Sequence, residues 1–180
     1  MNLSFNQISE LADTPWIKPT KTQVIACFIF AIYCAWFASH STGWVPILDS
    51  ANLMFHEAGH PIYGALFGEK FSVYGGTLGQ LSFPIIGGGY FWFRRELGSF
   101  VIMLIWFFEN FWNIARYMAD ARAQELPLVG GGEHDWTEIF SRWGVLAKDR
   151  QIAHAIRGMA WIGVLTSLAW LVLKYREEKI

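Results

Sequence analysis

Four predominantly apolar stretches, 24–40, 49–67, 98–119 and 153–174, constrain the fold of this 180-residue chain more than any other feature. A helix of about 20 apolar residues matches the thickness of a bilayer's hydrocarbon layer. Hydrophobic residues make up 53% of the sequence, with ten Trp and fifteen Phe, while only 16% are charged. That balance fits an α-helical integral membrane protein crossing the bilayer several times, with short polar connections. The formal net charge of -1 leaves no basic field to recruit nucleic acid. One membrane-embedded domain over 1–180 is expected.

Residues 1–23 form a polar lead-in in which Pro15 and Pro19 break any long helix, although 6–10 suits a short interfacial helix. Val24 to His40 is the first span, flanked by Lys21 and by Trp44 at the interface. Cys27 and Cys34 lie seven residues apart on it, about 10 Å of helical rise, too far for a disulfide.

The second apolar stretch carries His56-Glu57-Ala58-Gly59-His60, an H-E-x-x-H pattern. Positions four apart share one helix face, so both histidines can point at one metal ion. Glu57 then projects beside the ion, where a carboxylate can accept a proton from an attacking water. Asp49 or Ser50 reads as the N-cap of this helix. Asn52, His56 and His60 form its polar stripe, and Gly64 and Gly68 permit close helix packing. Pro61 removes the amide that would bond to the Glu57 carbonyl, which predicts a kink or loosening there.

Residues 71–93 are rich in Gly and aromatics and lack a helical period. Their alternation predicts short strands and tight turns, a re-entrant or β element buried in protein or lining a cavity. The third span, 98–119, places Glu109, Asn113, Arg116 and Asp120 on one face, the pattern of a stripe turned toward a bundle interior. Residues 121–150 read as a polar loop with a triple-glycine turn at 130–132. A short helix follows from Trp136 to about Ala147, capped by Asp135 with Glu138 at capping-box spacing. The last span ends on the basic pair Lys174 and Arg176.

Catalytic zinc usually keeps three protein ligands and an open position. His40 and His154 sit at the ends of apolar spans and read as interfacial. His134 follows the glycine turn and has an acid on each side to hold its second ring nitrogen. It is the expected third ligand, with Asp135 and then Asp120 as alternatives; Glu109 is a further acid within reach of this argument. Histidine and carboxylate donors suit Zn2+, and iron would also accept them.

A membrane-embedded HEAGH helix followed by a Gly-rich stretch and further spans resembles the site-2-protease-like intramembrane metalloproteases. The resemblance implies His56 and His60 as zinc ligands, Glu57 as catalytic base, and an Asp on a later helix as third ligand. It also implies that Gly75, Gly76 and Gly79 belong to a short sheet or loop receiving an extended substrate strand. The chain departs from the pattern in two places: it has no Asn-Pro-Asp-Gly-type motif, and Pro61 follows the second histidine. The expected activity is zinc-dependent endopeptidase cleavage of a membrane protein or peptide within the bilayer. A zinc hydrolase acting on a lipid or small amphiphile, and a non-catalytic membrane scaffold with a structural histidine pair, are the alternatives.

Overall fold

The computed structural model describes residues 14–40, 42–129 and 133–177. The expected interfacial helix at 6–10 and the glycine turn at 130–132 lie outside the described residues. Among the described residues the fold is helical: α1 (Lys21–Ala38), α2 (Leu48–Phe67), α3 (Glu69–Phe93), α4 (Leu97–Ala119), α5 (Asp135–Arg142), a 3-10 turn (Leu146–Lys148) and α6 (Asp149–Arg176). Thr20 opens α1 with a capping box, its hydroxyl accepting from the Gln23 amide while Gln23 accepts from the Thr20 amide.

Three of these segments, Lys21–Ala38, Leu97–Ala119 and Leu146–Arg176, are long and apolar enough to cross a membrane. Four were expected. The stretch at 49–67 drops out because Asp49, Asn52, His56, Glu57 and His60 dilute its apolar character. The surface of the bundle is apolar. Ile25, Ile29, Ile32 and Trp36 run down the outer face of α1, and Ile162, Leu165 and Leu173 do the same on α6. Inside, α1, α4 and α6 share a core of Cys27, Ala31, Leu97, Val101, Ile105, Val164 and Leu171. Cys27 and Cys34 are both buried and free. A second core of Ile114, Met118, Trp136, Ile139, Phe140 and Ala153 fixes α5 against α4 and α6.

The largest departure from expectation is 71–93, which is the long helix α3 and not a strand-and-turn element. Its glycines do not break it because they are where a second helix touches it. Gly68, at φ 94°, is the single residue between α2 and α3 and folds them into an antiparallel hairpin. A Cβ on Gly75 would sit 2.5 Å from the Gly59 carbonyl oxygen, and one on Gly79 would lie 2.8 Å from the Gly59 Cα. The two backbones are in contact along this seam. The packing gained there outweighs the poor helix propensity of glycine.

The start of the motif helix also differs from expectation. Helix α2 starts at Leu48 with no side-chain cap, and Asp49 instead accepts from the Val45 amide at 2.7 Å from inside the first turn. The helix runs to Phe67 as expected, with Pro61 inside it, and beside the proline Ser72 Oγ donates to the His60 carbonyl at 3.0 Å.

Candidate metal centre

Helix α2 places His56 and His60 one turn apart with ring centroids 4.9 Å from each other. Asp135, 79 residues further along the chain, brings its Oδ2 to 2.9 Å from His56 Nε2 and 3.4 Å from His60 Nε2. Among the described residues these three form the group able to hold a metal ion, their donor atoms all within 4.8 Å of one another.

The protons on the two imidazoles can be placed from their partners. The Trp106 carbonyl can only accept, so Asn110 donates to it through Nδ2 at 3.0 Å. Asn110 Oδ1 then accepts from Gln80 Nε2 at 3.0 Å, which turns Gln80 Oε1 toward His56 Nδ1 at 3.1 Å. His56 Nδ1 therefore donates outward to Gln80 and turns Nε2 toward the group. His60 obeys the same logic: its Nδ1 meets the Ser72 carbonyl at 2.9 Å. Two imidazole Nε2 atoms thus converge with a carboxylate oxygen. The two Nε2 atoms and the carboxylate oxygen are close enough to share a proton or a metal ion, and each histidine has the outer hydrogen bond characteristic of a metal ligand. The residues present fit a divalent ion.

His134, the expected third ligand, is elsewhere. It is the N-cap of α5, its Nδ1 accepting from the Thr137 amide at 3.3 Å. Its Nε2 lies 3.4 Å from Asp120 Oδ2, and its ring lies 4.1 Å from that of Tyr117. Burial pushes its imidazole below the ordinary histidine value, opposed in part by the Asp120 and Asp135 carboxylates. Because His134 takes the cap, Asp135 is released from the capping role and stands in the first turn of α5 with its carboxylate free to reach the histidines. Asp120 is also outside the group; its two oxygens accept from the Glu125 and Leu126 amides and shape the loop that leads to α5. Glu109 is fully buried farther along α4, accepting from Asn52 at 2.9 Å. His40 and His154 are exposed.

Gly75, Gly76 and Gly79 are not a strand edge. Gly75 and Gly79 lie in the α2–α3 seam, and Gly76 faces the imidazole of His56 so closely that a Cβ there would overlap the ring. Their backbone groups are part of helix α3, so they offer no free ladder to an extended peptide.

Two cavities meet at the group. One, of about 430 Å³, is lined by Glu69, Ser72, Glu133, Glu138 and Arg142. The other, of about 600 Å³, is lined mainly by apolar side chains, among them Phe37, Leu53, Pro127 and Leu128. His56, Glu57 and Tyr117 border both. The sequence pattern did not single out Gln80, Ser72 or Tyr117. Gln80 was findable in principle, since it lies one helical turn after Gly76, but only once 71–93 is recognised as a helix. Tyr117 Oη accepts from the Asp135 amide at 3.2 Å, so it orients the turn that delivers the carboxylate. Compared with protein-family models, with curated proteins and with solved structures, the chain matches none.

Proposed function

We propose that this protein is a multi-pass membrane metallohydrolase of the H-E-x-x-H type, with peptide bonds as its substrate and Zn2+ as its ion. The observation that carries the reading is the convergence of two Nδ1-protonated imidazoles and the Asp135 carboxylate beside Glu57. A site-2-protease-like relationship would account for the motif helix and for an aspartate as third ligand. The membrane setting is supported by the three apolar helices and their apolar outer faces.

An ion held by His56, His60 and Asp135 supplies a Lewis acid for the scissile carbonyl and for the attacking water. Glu57 borders both cavities, so it stands where water from the polar side meets substrate from the apolar side. It accepts one proton as the water oxygen bonds to the carbonyl carbon. The same proton passes to the departing nitrogen as the C–N bond breaks, leaving a carboxyl group and a free amine. Hydrolysis of an ester or amide in a small amphiphile is the second reading. It is favoured by helix α3, which leaves no strand edge for an unwound peptide to pair with.

Metal content of detergent-purified wild type, His56→Ala and Glu57→Gln, with hydrolysis of an apolar peptide and of lipid extract measured in parallel, tests this. One Zn2+ per chain in wild type and Glu57→Gln, none in His56→Ala, and cleavage only by wild type are expected. Wild type that takes up no metal after reconstitution would leave a structural histidine pair and overturn the enzyme reading.

A further inference from the structure

The apolar cavity contains a cation that the hydrolytic chemistry does not use. Arg116, on α4, lines it together with Trp44, Asn113 and Thr42. The aliphatic part of Arg116 packs against the turn at Gly43, and its guanidinium lies over the Trp44 ring at 5.6 Å. Asp49 and Asp120 are the acids whose fields reach it, yet both are engaged by other groups: Asp49 by Val45 and Asn52, Asp120 by Glu125 and Leu126. Among the described residues no carboxylate forms an ion pair with Arg116. A half-buried guanidinium with no carboxylate paired to it, in the wall of an apolar cavity, leaves its N–H fork open to an anionic group.

The two cavities differ in charge. Around the polar one stand Glu69, Glu133 and Glu138 against Arg142 alone. In the apolar one Arg116 is the sole cation among the lining residues, and Glu57 the sole acid. Outside the candidate metal group the polar cavity is thus net acidic, and Arg116 is the one cationic side chain that the apolar cavity offers to an anion.

The geometry points to a substrate rule: the apolar cavity holds an apolar peptide segment carrying one carboxylate side chain, and Arg116 pairs with that carboxylate. The guanidinium fork suits a carboxylate in two-pronged contact, and burial strengthens the pair. The peptide identity of the occupant rests on the hydrolase reading above; the carboxylate requirement rests on Arg116 and the cavity.

The test is a double-substitution cycle on binding, with the metal-loaded Glu57→Gln protein as a non-hydrolysing receptor. Two labelled apolar peptides, identical but for one Glu or Gln, are titrated into it with and without Arg116→Gln, following fluorescence anisotropy. Arg116→Gln is expected to weaken the Glu peptide about tenfold, the usual worth of a charge-assisted hydrogen bond. The Gln peptide should bind both receptors equally, which also shows that the variant is folded. Equal weakening of both peptides, no weakening of either, or no binding at all overturns the rule. Hydrolysis of the same peptides by wild type separates the two claims. Coupled binding without cleavage sinks the peptidase reading and leaves the recognition rule; cleavage without coupling does the reverse.

Discussion

Gly76 forms the floor beneath the imidazole of His56: the helix α3 backbone comes so close to the ring that a single methyl group would displace it. A glycine on one helix thus sets the position of a side chain of the candidate metal group on another.

Gly76→Ala should therefore shift His56 out of the group while leaving α3 helical, since alanine is the better helix former. The expected result is at least a tenfold weaker metal affinity with unchanged helical content, read by competition with a chromophoric chelator and by circular dichroism. Metal affinity equal to wild type would show that the ring adjusts without cost.

Asp135 and His134 should separate cleanly, although they are neighbours. Asp135→Ala removes a donor from the group and should abolish stoichiometric metal. His134→Ala removes a helix cap, worth about 1 kcal/mol, and should keep the metal while lowering the melting temperature by a few degrees. The reverse pattern in metal analysis would return His134 to the ligand role.

Gln80→Leu breaks the directed chain from the Trp106 carbonyl through Asn110 to His56. Loss of such an outer hydrogen bond commonly weakens metal binding about 10- to 100-fold. The variant should bind metal in that reduced range, and Gln80→Glu, which retains an acceptor facing Nδ1, should recover part of the loss. If Gln80→Leu matches wild type in metal titration, the chain does not tune the site.

Gly59→Val forces the α2 and α3 backbones apart at the point where they touch. Overpacking of this kind costs about 1–3 kcal/mol or more, and here it also moves both histidines. Thermal unfolding in detergent should fall together with metal content. A variant that loses metal but keeps its wild-type unfolding temperature would show that the seam does not support the hairpin.

The motif helix was legible because H-E-x-x-H needs only the 3.6-residue period to become a site, and the polar stripe of Asn52, His56 and His60 lies on α2 as that period requires. Helix α3 was illegible for a physical reason. Gly75, Gly76 and Gly79 resemble turn residues when read locally, and their role as contact surface exists only once α2 lies across them. The third donor was hidden by a choice between neighbours. Both His134 and Asp135 can cap a helix and both can bind metal; burial of His134 against Tyr117 and Asp120 assigns it the cap and frees Asp135. The helix at 48–67 formed as expected but falls short of the apolarity of the other three spans, because the residues that make the site dilute it.

The wide separation of Asp135 from the two histidines also governs when the centre can first exist. Helices α2 to α4 emerge from the ribosome before α5, and during that interval His56 and His60 lack the Asp135 carboxylate. Until the short amphipathic helix has been synthesised and has docked, the three-residue group does not exist.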